Sequence, residues 1–215
     1  MMSLAGILSL LSALISTSDA LWCVKCTSDS SSCFGIGEDC PSGYECGSTY
    51  TETTVDGTTT ASLLRDCINP TRCGIKGSIS LQDARINMAI SCCNTYACTP
   101  TIPALIPKSS NPNGVVCRVC TSKTSSWCYT SDTLQCTGEE NMCLLQTKEV
   151  TGAYSSSIAA RGCATKSLCK LGTNLQNVPG SSIKDTIICT DGGISVHKAI
   201  LTPAITCLLV LKLFF

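Results

Sequence analysis

The sequence has little of what most enzymes and nucleic-acid-binding proteins depend on. Of its 215 residues, 5% are aromatic and 14% are charged, and the one histidine, His197, lies near the C-terminus. A Ser-His or Cys-His triad of the usual form is therefore excluded. The 15 basic and 15 acidic residues cancel, and the basic residues form no stripe, which argues against a nucleic-acid partner.

Motifs for other chemistry are also missing. Glu139 and Glu140 are adjacent carboxylates, but neighbours on a strand point to opposite faces. Gly192-Gly193 follows no strand-to-helix pattern, so no phosphate-binding loop is indicated. We expect no enzyme activity, no metal or other cofactor, and no small-molecule substrate.

Cysteine, in contrast, is abundant. The chain has 19 cysteines, a density typical of disulfide scaffolds in secreted proteins. No long stretch of helical periodicity occurs between residues 22 and 190, and this region is rich in Ser, Thr and Gly. Such a chain cannot bury a large apolar core, so disulfides must replace core mass.

The first 20 residues, MMSLAGILSLLSALISTSDA, form a short apolar run followed by small residues. This order predicts a secretory signal peptide, residues 1–20, that is cleaved after Ala20. An N-terminal membrane anchor is the alternative, but the run is too short for one.

The cysteines form a frame that occurs twice. From Cys23 it reads C-x2-C-x6-C-x6-C-x5-C-x20-C-x5-C-x18-C, and from Cys117 it reads C-x2-C-x7-C-x7-C-x6-C-x19-C-x5-C-x19-C. Seven consecutive gaps agree within one residue, which indicates two copies of one module. We place the copies at residues 21–99 and 115–191. Residues 100–114 hold four of the eight prolines, which predicts a semi-rigid linker that sets the separation of the two modules.

Hairpin signals indicate the fold of each copy. Asp56-Gly57 lies midway between Cys46 and Cys67, between Thr-rich arms, and Asp-Gly in this setting is a strong β-hairpin signal. Gly152 gives a weaker signal in the matching span of the second copy. Each module is therefore predicted to be all-β, with short strands and hairpins held by disulfides.

The doublet Cys92-Cys93 occurs in the first copy alone. Adjacent cysteines seldom bond to each other, because disulfide geometry is too demanding, so each needs a partner elsewhere. Spacing does not give the pairing, because even eight cysteines allow about a hundred pairings.

This frame, with its doublet and a last cysteine five residues after the second doublet member, resembles the lymphocyte-antigen/urokinase-receptor superfamily of three-finger domains, which are related to snake neurotoxins. The resemblance covers residues 22–98 with all ten cysteines and residues 116–189 with eight. It implies an all-β, disulfide-rich fold of two tandem three-finger domains. Two-domain members include fish and amphibian surface proteins and the gamma-type phospholipase inhibitors.

The resemblance also implies the disulfide pairing. In the first domain the implied pairs are Cys23–Cys46, Cys26–Cys33, Cys40–Cys67, Cys73–Cys92 and Cys93–Cys98, and in the second they are Cys117–Cys143, Cys120–Cys128, Cys136–Cys163 and Cys169–Cys189. This chain departs from the family twice. Thr99 stands where the family has an asparagine, and the second domain has Thr190 and Ser195 in place of the last disulfide.

Two cysteine pairs, Cys23–Cys26 and Cys117–Cys120, match the bare C-x-x-C pattern of redox and zinc sites. A redox motif would need a βαβ setting, and a zinc ribbon would need two such pairs about 15–20 residues apart. Because both pairs belong to the repeat, structural disulfides are favoured.

The C-terminal residues have the order of an anchor signal. Asp191-Gly192-Gly193 is followed by a short polar stretch and then by the apolar tail AILTPAITCLLVLKLFF. This order predicts a glycosylphosphatidylinositol (GPI) anchor, attached at Asp191, or at Gly192 or Gly193, with residues 192–215 removed. A membrane span is the alternative, but the tail is shorter than the roughly 20 apolar residues that a span needs. Cleavage would remove Cys207 and leave an even number of cysteines.

Recognition by loops is the function that remains, because rigid scaffolds carry function on their loops. We expect partner-binding residues at the tips of the central fingers, namely Val55 and Asp56 in the first domain and Tyr154 in the second. That Tyr154 instead packs on its own sheet is an equally good interpretation.

The expected partners are an extracellular or membrane protein and, through the anchor, the outer leaflet of the plasma membrane. Three functions stay open. The first is a GPI-anchored cell-surface recognition protein, the second a secreted phospholipase inhibitor of the gamma type, and the third a non-specific adhesion or coat protein.

Overall fold

The computed structural model describes residues 20–152, 154–178 and 180–192. Residues 1–19 of the predicted signal peptide, His197, Cys207 and most of the predicted anchor signal therefore lie outside the described residues. The fold is all-β, as predicted. The first domain contains the strands β1 (Trp22–Ser28), β2 (Ile36–Asp39), β3 (Glu45–Val55), β4 (Thr58–Ile68), β5 (Lys76–Ser80) and β6 (Ala84–Cys93), with a 3-10 helix at Pro70–Arg72.

The second domain repeats this pattern with one extra strand. Its strands are β7 (Pro112–Arg118), β8 (Cys120–Ser122), β9 (Thr133–Thr137), β10 (Met142–Gly152), β11 (Ser156–Ala164), β12 (Thr173–Val178) and β13 (Ser181–Asp191), with a 3-10 helix at Leu168–Leu171. Because β7 begins at Pro112, the last residues of the predicted linker belong to this domain.

Each domain is built around a long central hairpin. In the first domain β3 pairs with β4 from Glu45–Ile68 to Val55–Thr58, and β6 pairs with the other edge of β3. The second domain has the same arrangement, with β10 between β11 and β13. The turn at Asp56-Gly57 has positive φ at both residues, 49° and 79°, which is the conformation that a two-residue hairpin requires and Asp-Gly favours.

The structure contains the nine disulfides that the family resemblance implies, and none of them joins one domain to the other. The bonds replace apolar core at the base of each domain. Cys23, Cys40 and Cys46 form one buried cluster, and Cys117, Cys136 and Cys163 form the equivalent cluster in the second domain.

The two domains share one sheet. Strand β5 pairs antiparallel with β11, with Ser80 opposite Cys163 and Ile79 opposite Ala164. The strand order is β12-β13-β10-β11-β5-β6-β3-β4-β1-β2, with β8 also paired to β11, while β7 and β9 form a separate pair. The backbone amide of Thr165 extends this junction by donating to the carbonyl of Ser78 at 3.0 Å.

The largest apolar core also crosses the boundary between the domains. Four isoleucines of the first domain and three residues of the second form one buried cluster, Ile68, Ile75, Ile79, Ile90, Leu144, Ala164 and Leu168. Backbone approach is close here, because a Cβ at Gly77 would lie 1.9 Å from the hydroxyl oxygen of Thr165. The three-finger modules are therefore fused, and each needs the other to cover its isoleucine and leucine side chains.

A buried carboxylate lies beside this junction. Glu140, in the turn after β9, has no solvent exposure. Its Oε1 accepts a hydrogen bond of 2.5 Å from the Ser78 hydroxyl and lies 3.3 Å from Nη2 of Arg85. The neighbouring Glu139 is exposed. The two carboxylates do point apart, as the sequence indicates, but they lie in a turn, and one of them joins the domains.

The proline-rich segment does not hold the domains apart. It lies on one face of β3, β4 and β6, here called the linker face and formed by Ser48, Leu63, Asn87 and Ala89, all of which are at most 2% exposed. The expectation of a spacer is corrected by this finding. Its physical reason is that side chains of the sheet donate hydrogen bonds to carbonyl groups of the segment, which hold it against the face.

Candidate binding surfaces

The tip of the first domain's central finger is open to solvent. Val55 is exposed, and Asp56 and Gly57 form the turn. One pair before the turn-closing pair, the side chains of Thr54 and Thr59 are joined by a hydroxyl–hydroxyl hydrogen bond of 2.8 Å. The predicted residues Val55 and Asp56 therefore lie together on a hairpin tip that a partner can reach.

The tip of the second domain's central finger carries Tyr154. Its side chain is 90% exposed, so the ring does not pack on its own sheet. Exposed tyrosine offers a large rigid contact area with a polar end, which is why it recurs at protein interfaces. The tip of each central finger therefore presents predicted binding residues to solvent.

The first finger of each domain carries exposed aromatic residues that the sequence reasoning missed. Phe34 directly follows Cys33 and is 95% exposed, and Tyr129 directly follows Cys128 and is 74% exposed. The two positions correspond in the repeat, since each follows the second cysteine of the first-finger disulfide. An aromatic residue at this place in both copies was the signal that could have identified them.

The linker face of the first domain is covered by residues 100–109. The hydroxyl of Ser48 donates to the backbone carbonyl of Pro100 at 3.2 Å, and the hydroxyl of Ser91 donates to the backbone carbonyl of Thr101. Further along, the Asn87 side chain donates to the carbonyl of Ile106 at 2.8 Å. Arg85 donates to Ser109 and Lys108 pairs with Glu52 in the last part of the segment.

This covering segment is extended. Ser91 and Asn87 are four residues apart on β6, which is about 13 Å at the rise of a β-strand. The five-residue step from Thr101 to Ile106 spans that distance, whereas five helical residues would span about 7.5 Å. The linker face is thus occupied by an open chain whose carbonyl groups receive hydrogen bonds from the sheet.

The same face of the second domain is a groove, here called the open groove. It has a volume of about 570 Å³, and its lining includes Val116, Arg118, Trp127, Leu145, Arg161 and Ile188. Ile188 is 51% exposed. Among the residues of the described part of the chain that line the groove, none carries a carboxylate.

Both arginines of the open groove are held by aromatic rings. The guanidinium of Arg161 lies 4.2 Å from the ring centre of Trp127, and that of Arg118 lies 5.2 Å from the ring centre of Tyr129. Each also donates one hydrogen bond to a backbone carbonyl, Arg161 to Cys128 at 3.0 Å and Arg118 to Thr130 at 2.7 Å. These contacts fix the two guanidinium groups at the groove wall.

Three clusters of possible metal ligands occur in the described part of the chain. They lie at Cys23–Cys40–Cys67, at Cys117–Cys136–Cys163 and at Glu45–Cys73–Cys92. Every cysteine in them is disulfide-bonded, so no thiolate is available to a metal. No helix within the described ranges is long and apolar enough to cross a membrane.

The predicted anchor residues lie at the end of the last strand. Asp191 is the final residue of β13 and is opposite Met142, and Gly192 lies against Val115. Gly193 lies outside the described residues. The described residues end beside the separate β7–β9 pair, and up to Gly192 the second domain contains no counterpart of the Cys93–Cys98 disulfide of the first domain.

Comparison with known families agrees with this geometry. The model of the u-PAR/Ly-6 domain matches residues 19–101 and again residues 113–194. The chain belongs to the u-PAR/Ly-6 family. Both matches coincide with the two modules, so membership of this family accounts for the repeated cysteine frame, the nine bonds and the three-finger strand order.

Relatives within the family are binding proteins by name. The chain is 28% identical over 150 residues to the phospholipase A2 inhibitor 25 kDa subunit of Naja kaouthia, which covers 65% of this chain and 80% of the relative. It is 37% identical over 82 residues to the phospholipase A2 inhibitor NAI of Notechis ater, covering 38% of this chain and 40% of the relative. The chain thus spans less than half of that second relative.

Two further proteins show shorter or weaker likeness. The urokinase plasminogen activator surface receptor of Aotus trivirgatus is 36% identical over 86 residues, which covers 38% of this chain and 24% of the relative. The crystal structure of mouse TEX101 matches 79% of this chain and 98% of its own, at 18% identity and a TM-score of 0.30. A score this low supports no further conclusion.

Proposed function

We propose that this u-PAR/Ly-6 protein is a GPI-anchored recognition protein of the cell surface that binds a protein ligand through its finger tips. The observation that carries the proposal is the 90% exposure of Tyr154 at the end of a hairpin whose base is held by disulfides. A large exposed side chain on a rigid support loses little conformational entropy on binding. Family membership and the names of the relatives support a non-catalytic binding role.

The role of the finger tips can be tested with two substitutions at the tips and one control substitution elsewhere. Affinity capture with the mature protein first identifies the ligand, and binding of that ligand is then measured for Tyr154→Ser, for Val55→Ser and for the control Tyr96→Ser. Tyr96 is 71% exposed but lies in the terminal loop of the first domain. We expect Tyr154→Ser to weaken binding about tenfold or more, as at other tyrosine hot spots. Equal binding by all variants would contradict the role of the tips.

Anchoring is supported by the order of small residues, polar spacer and apolar tail after Cys189. Removal of the tail would also remove Cys207 and leave the eighteen cysteines that form the nine bonds. Treatment of expressing cells with a phosphatidylinositol-specific phospholipase should release the protein into the medium. Protein that stays on the cells and retains the peptide containing Cys207 would contradict anchoring.

A secreted phospholipase inhibitor is the second candidate, favoured by the likeness that spans 80% of the cobra inhibitor subunit. It predicts full-length, signal-cleaved protein in the medium without phospholipase treatment, and inhibition of a secreted phospholipase A2 at stoichiometric concentrations. A non-specific adhesion or coat protein, the third candidate, predicts that no single ligand is enriched in the capture experiment.

A further inference from the structure

Two residues at the floor of the open groove correspond to two serines that bind the covering segment in the first domain. Counting from the cysteines, Leu145 takes the place of Ser48 and Ile188 takes the place of Ser91. The ladders agree with this alignment, because Ser48 is opposite Ser91 on β3 and β6, and Leu145 is opposite Ile188 on β10 and β13. The linker face therefore shows what kind of chain a surface of this shape accepts.

The floor of the open groove has changed from polar to apolar. Ser48 and Ser91 bind their covering segment by donating hydroxyl hydrogen bonds to its carbonyl groups, and Leu145 and Ile188 have no donor. Ser48 is fully buried and its counterpart Leu145 is partly buried, while Ser91 is partly buried and its counterpart Ile188 is half exposed. A chain on this floor gains its contact by placing an apolar side chain on Leu145 and Ile188, since removal of apolar surface from water is favourable.

The wall of the groove favours a ligand that carries a negative charge. Arg118 and Arg161 are oriented by Tyr129 and Trp127, and each guanidinium uses one hydrogen bond on a backbone carbonyl. An arginine side chain has five N–H donors, so each retains donors for a ligand. A guanidinium held in a fixed plane suits a carboxylate, which it can bind through two parallel hydrogen bonds.

We infer that the open groove binds an extended segment of a partner protein that carries a large apolar side chain next to an acidic one. The apolar side chain lies on Leu145 and Ile188, and the carboxylate bonds to Arg118 or Arg161. This surface lies on the sheet face of the second domain and not at a finger tip, so the inference does not depend on the role proposed for Tyr154.

The test uses a displayed library of random twelve-residue peptides, selected against the mature protein purified from expressing cells. We expect the enriched peptides to share an aspartate or glutamate within two positions of a Leu, Ile, Phe or Trp. Their affinity should fall about tenfold or more for Ile188→Ser and for Arg118→Gln, which corresponds to about 1.4 kcal/mol or more of binding free energy. It should also fall as the salt concentration rises, because the contact is partly ionic.

Matched substitutions outside the groove serve as controls. Leu175→Ser removes an apolar side chain that is 60% exposed on β12, and Lys148→Gln removes an exposed cation of β10. Tyr154→Ser separates the groove from the finger tip. All three variants should bind the selected peptides as the unsubstituted protein does, and retention of the thermal transition by Ile188→Ser and Arg118→Gln shows that loss of binding is not loss of folding.

Three results would overturn the inference. One is the absence of any enriched peptide, and another is enrichment of peptides whose binding is unchanged by Ile188→Ser and Arg118→Gln. The third is a mature protein that forms a dimer in solution and becomes monomeric on Ile188→Ser, because the groove would then be occupied by a second copy of this chain.

Discussion

The two domains share the arrangement of their central strands and the same first four disulfides, yet they differ in how their sheet faces and terminal loops are covered. The first domain closes its terminal loop with Cys93–Cys98 and covers its sheet face with residues 100–109. The second domain has neither feature in the described residues, and it presents Ile188 and Leu145 where the first has serines. A shared scaffold thus carries one copy whose sheet face is covered and one copy whose sheet face is open.

Equivalent positions on the first finger are charged in the first domain and apolar in the second. On the first finger of the first domain, Lys25 pairs with Glu38 at 2.9 Å and with Asp66 at 3.5 Å. The cysteine frame places Val119 and Leu134 of the second domain at the positions of Lys25 and Glu38. The same backbone positions therefore carry an ion-pair cluster in one copy and two apolar side chains in the other.

The largest effect should come from the third-finger disulfides. We expect Cys169→Ala/Cys189→Ala to cost about 2–5 kcal/mol and to block secretion, because the second domain is left with three bonds. The matched variant Cys73→Ala/Cys92→Ala removes the equivalent bond but leaves the first domain with four. Secreted and cell-surface levels of both variants, measured by immunoblot, test the difference. Equal levels would show that the number of remaining bonds does not decide folding.

The next effect concerns the buried carboxylate between the domains. We expect Glu140→Ala to destabilise the protein by about 1–3 kcal/mol, because the Ser78 hydroxyl and the Arg85 guanidinium lose a buried partner. Thermal unfolding should also become less cooperative, since one link between the domains is removed. The exposed neighbour provides the control, and Glu139→Ala should unfold as the unsubstituted protein does. An unchanged transition for Glu140→Ala would mean that the sheet and core alone join the domains.

A smaller effect is expected at the linker face. Asn87→Ala removes the hydrogen bond to the Ile106 carbonyl, which should cost about 0.5–1.5 kcal/mol. The loss should appear first as faster proteolytic cleavage within residues 100–109. Its counterpart in the second domain is the exposed Lys184, and Lys184→Ala should leave this cleavage rate unchanged. Identical cleavage patterns would indicate that packing, not this hydrogen bond, holds the segment.

The smallest effect is expected at Lys25. The hydrogen bond to Glu38, and then the charge of Asp66, hold the pKa of Lys25 above its ordinary value of 10.5. The stabilisation is therefore complete at neutral pH and is lost as the pH rises through the raised pKa. Because the lysine side chain is 36% exposed, Lys25→Met should cost less than about 1 kcal/mol, and the cost should shrink in high salt. A cost that is independent of salt would point to packing instead.

Much of the fold could be predicted from the sequence, because the spacing of the cysteines is characteristic of the module. The gaps from Cys23 and from Cys117 reveal the repeat, and Asp56-Gly57 marks the central hairpin through its backbone preference. The exposure of Tyr154 could not be predicted, because packed and exposed tyrosines have the same sequence signal. The fusion of β5 with β11 left no signal either, because strand pairing over long sequence separations depends on which edges remain free after each module has formed.

The candidate binding surfaces also divide into those that a local sequence signal predicts and those that only the tertiary structure reveals. Val55 and Asp56 were predictable from the turn, whereas the open groove depends on a comparison between Leu145 and Ser48 that has meaning only once both faces are known. The segment at residues 100–109 was misjudged for a related reason. Its prolines indicate an open backbone, but proline content does not tell whether an open chain stands in solvent or lies on a sheet.

The core that crosses the domain boundary has a consequence for the evolution of the two duplicated domains. When a module is first duplicated, either copy can be deleted without harm to the other. Once Ile79 of one copy packs with Leu144 and Leu168 of the other, deletion of either copy exposes apolar surface on the survivor. The pair is then retained as a unit under selection, while side chains on the uncovered sheet face remain free to diverge toward new ligands.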